Sequence, residues 1–498
     1  MTLTTEAAVA VADPSRNFHY SVSFILLAII CVCVSYFSQS WMAPTSIDIT
    51  SHISQPVSFI ANPVRRIASA VRLLLRGTWS PFRIFQVNYL FVYGLVFISD
   101  WLQGPYIYAL YKSYNYDLDN IALLFVTGFL SSAIVGTFVG SIADRLGRKL
   151  GCILFCILYA LSCITKLYPD FSMLMLGRLL GGISTSLLFS VFESWMVSEH
   201  RSRGFDDSLL SETFAWSTFV NGLVAIISGV IANYSVDVWG LVSPFMIAVV
   251  FLMVAMVVIQ LTWTENYGSK SSSSPSPSFI SVINTVFNSP SILAVGAMQF
   301  GFESAMYTFV FLWSPVLEKY AGPTVKLPFG VIFSSFMVCI MIGSIVFKIL
   351  MQKNLSHELI AKAVFASASI ILLLPAVTNS EAITYMAFNV FEACCGLYFP
   401  SMGSIRSKVV PEDTRSTVMN IFRVPLNLMV VFILLKVDSI SHTMLFIICS
   451  MLIGCSFWFS KVLADSTDGA SDKQQYKIVS DDVNVMVDVS RGELSQSI

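Results

Sequence analysis

The chain has 498 residues, of which 55% belong to the set AVILMFWYC and only 12% are charged, about half the roughly 25% usual in soluble domains. Soluble domains of this size cannot hide so much apolar surface and lipid can accept it, so the chain reads as an all-α polytopic membrane protein, not an enzyme. A formal net charge of -1 excludes nucleic-acid binding through bulk basicity.

A helix needs about 20 mostly apolar residues to cross the hydrocarbon. Spans are predicted at 20–37, 87–111, 119–142, 150–167, 172–196, 212–233, 238–262, 290–314, 327–350, 358–377, 382–405, 414–436 and 441–462, one set apart and twelve closely spaced. Only helices and closed barrels satisfy backbone polar groups in lipid, and runs this long without strict alternation exclude the barrel. Segment 20–37 lacks the basic n-region and A-x-A site of a cleaved signal peptide and reads as a retained signal anchor. After it, Val64, Ile67, Val71 and Leu74 share one helical face and Arg65, Arg72 and Arg76 another. That pattern fits an interfacial helix on the cytosolic leaflet, or a plain basic linker.

Lysine and arginine orient the spans. Arg65, Arg66, Arg72, Arg76 and Arg83 precede the second span, and loops on that side hold Arg145, Arg148, Lys149, Arg201, Arg203, Lys353, Arg406, Lys408 and Arg415. The opposite loops carry only scattered lysines: Lys112, Lys166, Lys319, Lys326 and Lys436. Positive-inside bias places 38–86, the 143–149 loop and the C-terminal tail in the cytosol, and the extreme N-terminus outside. Residues 269–278 (SKSSSSPSPS) read as a cytosolic linker, and the polar tail from about 464 as disordered. The ten cysteines show no metal-ligand spacing or disulfide pattern, so neither metal nor cofactor is expected.

The sequence contains a duplication. Ser131-Ser132-x-x-Val135-x4-Gly140-Ser141-Ile142 recurs as Ser334-Ser335-x-x-Val338-x4-Gly343-Ser344-Ile345, a shift of 203 that also carries Asp100 onto Glu303. Phe192-Glu193 and Ser217-Thr218-x-x-Asn221 recur as Phe391-Glu392 and Ser416-Thr417-x-x-Asn420, a shift of 199. The expected organisation is a tail, extra helix and basic segment (1–86), a six-helix bundle (87–263), a linker (264–289), a second six-helix bundle (290–463) and a tail (464–498). Two parallel six-helix halves are a transporter architecture, with the solute site where the halves meet near mid-membrane.

Ionisable residues inside spans are costly and are functional candidates for that reason. Asp100 and Glu303 lie about twelve residues into the first helix of each half, roughly 18 Å deep at 1.5 Å per residue. Glu392 and Arg423 are similarly deep, while the depth of Glu193 depends on where its helix begins. The carboxylates are candidate proton carriers or members of structural ion pairs, and the arginines suit a bidentate grip on an oxyanion. Gly104-Pro105, Pro315 and Pro425 are expected to interrupt their helices, and Tyr106, Tyr108 and Trp313 are candidate cavity-lining residues.

Gly140-Ser141-Ile142-Ala143-Asp144-Arg145-Leu146-Gly147-Arg148-Lys149 resembles the signature loop of the major facilitator superfamily at every defining position. Gly140 would permit close helix contact, Gly147 a sharp turn, and Asp144 a helix cap or ion pair acting as a conformational latch with Arg145, Arg148 and Lys149. Arg178-Leu179-Leu180-Gly181-Gly182 resembles a second superfamily motif but lacks its glutamine.

Asp100-Trp101-Leu102-Gln103-Gly104-Pro105-Tyr106, Phe192-Glu193-Ser194-Trp195, Phe311-Leu312-Trp313-Ser314-Pro315-Val316-Leu317, Gly396-Leu397-Tyr398-Phe399-Pro400-Ser401-Met402 and Phe422-Arg423-Val424-Pro425 resemble the eukaryotic molybdate-anion transporters. The resemblance runs from about 86 to 460 and departs at both tails. It implies a major facilitator fold, six plus six helices and one extra, and uptake of molybdate as a small-molecule substrate. A tetrahedral dianion needs cationic donors, with Arg423 the best placed and Arg178 second; Tyr106 and Trp313 complete the candidate binding set. Proton coupling through Asp100, Glu303, Glu392 and Glu193 would neutralise carboxylates beside the dianion. A monomer in the plasma-membrane bilayer is expected, with an internal membrane as the alternative. Competing readings are the same fold carrying sulfate, an organic anion or a sugar, and a non-transporting receptor or scaffold.

Overall fold

The computed structural model describes residues 14–40, 80–136, 138–268, 279–322, 325–411 and 415–463. The expected interfacial helix at 64–76, the 269–278 linker and the tail from 464 lie outside the described residues. The first helix, α1 (Pro14–Ser40), precedes both halves in the chain. The first half comprises α2 (Pro81–Trp101), α3 (Ile107–Ser113), α4 (Leu118–Gly136), α5 (Val139–Leu146), α6 (Arg148–Ile164), α7 (Phe171–Leu188), α8 (Val191–Ser202), α9 (Asp207–Trp239) and α10 (Ser243–Thr262). A short α11 (Phe279–Asn288) leads into the second half: α12 (Pro290–Ala321), α13 (Phe329–Gln352), α14 (His357–Val377), α15 (Glu381–Val409), α16 (Arg415–Leu435) and α17 (His442–Leu463).

Local chemistry sets many of these boundaries. Ser80, Asp170, Ser289, Ser356 and Ser380 each precede a helix and accept, through the side chain, the amide three residues on. Each such cap is worth about 1 kcal/mol and fixes where a span leaves the interface. Of the three expected proline breaks, only the first occurs: α2 ends at Trp101 and Gly104–Tyr106 forms a 3-10 turn before α3. The helices run on through Pro315 and Pro425. At Pro105 the preceding glycine adds its own helix-breaking tendency, whereas Ser314 and Val424 are compatible with a helix. The fifth predicted span, 172–196, is split between α7 and α8, which puts Glu193 in the first turn of α8.

Eleven helices among the described residues are long and apolar enough to cross a membrane. The two remaining spans are α12 and α16, and α16 is apolar only over Ile421–Leu435. These are the helices that carry Glu303 and Arg423.

Here "outer" denotes the end away from the Arg145–Lys149 loop. One apolar core runs through the second half and continues into the outer part of the first, joining Tyr108 and Phe125 to Phe311. The inner part of the first half has its own core, built on Phe85, Tyr89, Phe155, Trp195 and Trp263. The N-terminal helix packs against α13 of the second half. Near its start, Tyr20 donates to Glu381 Oε1 (2.5 Å) and meets the Tyr385 ring edge-on (4.8 Å) at the outer end of α15.

Candidate functional site

Along α12, Tyr307, Phe311 and Glu318 in turn meet the first half. Tyr307 meets Phe129 (5.6 Å between ring centroids), and Phe311 takes Phe125 (5.2 Å) and Tyr108 (6.5 Å) edge-on. Glu318 pairs with Lys112 at 2.8 Å, and Asp237 with Lys326 at 2.9 Å. Tyr106 donates to Asn233 Oδ1 (2.8 Å) and accepts the Gly330 amide (3.3 Å), tying α9 to α13. At that crossing a Cβ on Gly229 would lie 2.5 Å from the Gly330 carbonyl oxygen, so both positions require glycine. Among the described residues, the hydrogen bonds, ion pairs and ring contacts joining the halves lie on the outer side of Glu303. The outer route is shut.

Beneath this seam the second half assembles a charged cluster. Glu303 lies thirteen residues into α12, roughly 20 Å along its axis, and is 9% exposed. Tyr398 of α15 donates to its Oε1 (3.1 Å) and Gln299, one turn earlier, to its Oε2 (3.2 Å). The Arg406 guanidinium donates to Gln299 Oε1 (3.2 Å) and stands 3.8 Å from Glu303 Oε1. Arg423 is exposed, and its charge acts on both Glu303 and Tyr307. One carboxylate therefore sits beside one guanidinium and a phenol, with a second guanidinium, Arg423, within electrostatic reach, an excess of one positive charge suited to a small oxyanion.

Arg406 was read from the sequence only as a topology charge, because its span was ended at residue 405. The helix continues to Val409, and the long side chain reaches back along it. The other candidates are dispersed. Asp100 accepts the Tyr159 hydroxyl at 2.5 Å inside the first half, and Arg178 donates to the Leu124 carbonyl (3.0 Å) over the Phe125 ring. Glu193 is exposed, with its charge felt at Tyr89 and Tyr93. Glu392 is buried beside Cys395 and within electrostatic reach of Cys339 of α13. Trp313 packs between Phe329 (5.7 Å) and Phe336 (5.4 Å), and Tyr106 belongs to the outer seam, so the structure does not gather these two with Arg423.

The inner loop is held within the first half. Asp144 pairs with Arg148 (2.7 Å), whose guanidinium also reaches the Ser194 carbonyl (3.2 Å), and Lys149 donates to the Gln260 carbonyl (3.2 Å). Arg145 is exposed, and Gly140 lies within α5. The expected helix cap at Asp144 falls instead to Glu265, which accepts the Lys149 and Leu150 amides (2.8 and 3.1 Å) at the start of α6. Gly147 has φ +118°, and a Cβ there would stand 2.6 Å from the Glu265 carboxyl carbon, so only glycine lets that carboxylate in. Glu265→Ala should lower stability by about 1 kcal/mol, the usual worth of a side-chain cap. A melting temperature for the detergent-solubilised variant equal to wild type would refute that role.

The family profile described as sugar transporters, 12 TM, matches residues 76–389. The chain is 36% identical over 362 residues to a molybdate-anion transporter of Xenopus laevis, covering 70% of this chain and 78% of that one. A molybdate-anion transporter of Danio rerio is 33% identical over 380 residues with the same coverage. Among solved structures, the nucleoside transporter NupG superposes with a TM-score of 0.60 at 13% identity, covering 76% of this chain and 98% of that one. The POT family transporter PepTSo gives 0.62 at 11% identity, with 76% and 98% covered. At such identities these two likenesses show the fold alone. With the thirteen predicted spans all helical and a family match over most of the chain, this multi-pass membrane protein belongs to the molybdate-anion transporter family of the major facilitator superfamily.

Proposed function

We propose that the chain is a secondary active transporter that carries molybdate into the cell by alternating access of two bundles, 87–263 and 290–463, in the plasma membrane. The observation that carries this reading is the Arg406 guanidinium beside the carboxylate of Glu303, with Arg423 within electrostatic reach, on the inner side of a closed seam. Deprotonated Glu303 competes with the substrate for Arg406. A proton on Glu303 removes that competition and frees the guanidinium for the dianion, so proton and molybdate enter together. Asp144, Arg145, Arg148 and Lys149 act as the latch of the opposite state, and the protein works as a monomer. The name of the matching family profile favours a second reading, a sugar. Two cations and one acid fit an oxyanion better than a neutral solute.

Radiolabelled molybdate uptake in cells expressing the chain tests both. Accumulation should rise as the external pH is lowered, and Glu303→Gln should remove that dependence while leaving uptake measurable. Wild-type uptake indifferent to an imposed pH gradient would eliminate the proton. Competition by sugars but not by tungstate would install the second reading.

A further inference from the structure

The first half contains its own pair of cations, Lys166 buried and Arg178 half-buried, which the cluster around Glu303 does not use. Lys166, in the 3-10 turn Thr165–Leu167 after α6, is 1% exposed. Its ammonium donates to the Ser162 carbonyl (3.1 Å) and the Thr165 hydroxyl (3.4 Å). Arg178 packs its guanidinium 4.7 Å from the centre of the Phe125 ring, in space left by Gly128, where a Cβ would lie 2.8 Å from a terminal guanidinium nitrogen. Among the described residues neither cation forms an ion pair, and the two are close enough for their charges to act on each other. Beside Arg178 the Tyr111 hydroxyl, fully buried, forms no well-aligned hydrogen bond among the described residues and has the Arg178 guanidinium within reach. The nearby acid, Asp100, already accepts the Tyr159 hydroxyl.

An unpaired buried charge costs several kcal/mol, and an unmade hydrogen bond in the interior about 1–3 kcal/mol. Two cations and a phenol against one acid form an arrangement that lacks an anion. Its position indicates when the anion is met. Phe125, the ring beneath Arg178, closes edge-on against Phe311 at the outer seam, so parting that seam uncovers Arg178 from outside.

We infer that Lys166, Arg178 and Tyr111 form a second oxyanion station in the outer part of the first half, which takes the dianion before it reaches Arg406 and Arg423. The station rests on the reading that the substrate is an oxyanion, and its test separates the two.

Full-length protein is assayed for molybdate uptake in cells and, after purification, for the rise in melting temperature caused by sodium molybdate or sodium sulfate. Lys166→Met should raise the KM for external molybdate roughly tenfold, within the range for losing one charged partner, with Vmax within about twofold. It should also shrink the oxyanion-induced rise in melting temperature without lowering the ligand-free value, because removing an unpaired buried charge offsets the two hydrogen bonds lost with it. Lys166→Arg should restore most of the KM. Tyr111→Phe removes only a hydroxyl that makes no well-aligned hydrogen bond; it should raise KM with little loss of stability, and it decides the matter alone if Lys166→Met does not fold. Wild-type KM and oxyanion response in these variants would overturn the station and leave the transport reading standing. A wild type that does not take up molybdate, yet whose response to sulfate depends on Lys166, would overturn the molybdate reading and support the station. A wild type stabilised by neither oxyanion overturns both.

Discussion

Arg423→Ala is expected to abolish molybdate uptake, by a factor on the order of 10², while the protein still reaches the membrane. Its guanidinium is exposed on the inner side of the seam, so its removal leaves no packing defect. The magnitude follows from losing one charged partner of a doubly charged substrate, roughly 2–5 kcal/mol when the site is desolvated, taken at the low end because Arg423 is open to one side. Arg423→Lys should recover only part of the rate, since an ammonium cannot offer the two parallel donors of a guanidinium. The measurement is initial uptake normalised to surface-labelled protein. Uptake within twofold of wild type in the alanine variant would remove Arg423 from the site.

The second large effect concerns folding. A Cβ on Gly396 would lie 2.1 Å from the Ile340 carbonyl oxygen, and one on Gly343 the same 2.1 Å from that of Ala393. These are backbone atoms of facing helices and cannot swing aside. Gly396→Ala must therefore push α13 and α15 apart, at a cost of at least about 3 kcal/mol, the upper end for overpacking. The yield of folded protein in detergent, read by size-exclusion chromatography, should collapse. Gly403, one residue beyond Met402 on the same helix, has open space at its Cβ position, so Gly403→Ala should be neutral or slightly stabilising. Equal yields for the two variants would show that this crossing does not limit the fold.

The spans were legible in the sequence because lipid imposes one rule on all of them: long apolar runs with hydrogen-bonded backbones. The duplication told which acids occupy equivalent places, and Glu303 indeed lies buried at the centre of a polar network. Arg406 was misplaced because hydropathy ends a span at its first charge, whereas the backbone continues for another turn and the aliphatic stem follows it inward. Lys166 falls within the expected span 150–167 and yet counts there as a loop charge, because a lysine at a span's end reads as topology. Glu265 was invisible for a different reason, since its partners lie more than a hundred residues earlier and nothing in a polar stretch names a distant acceptor. Gly396 carried no local signal either, since a glycine inside a span reads the same whether it faces lipid or another backbone.

The docking of α1 has a mechanical consequence. Although it is the first helix made and is spliced to α2, it is fastened to α13 and α15, so it travels with the last-made portion of the polypeptide. Thirty-nine residues separate Ser40 from Ser80, a contour of at most roughly 130 Å, so chain length alone does not oblige α1 to move with α2. A fluorophore placed near Phe18 would thus follow the trailing portion, and paired with a partner dye on the outer end of α9 it would serve as a ruler for the stroke.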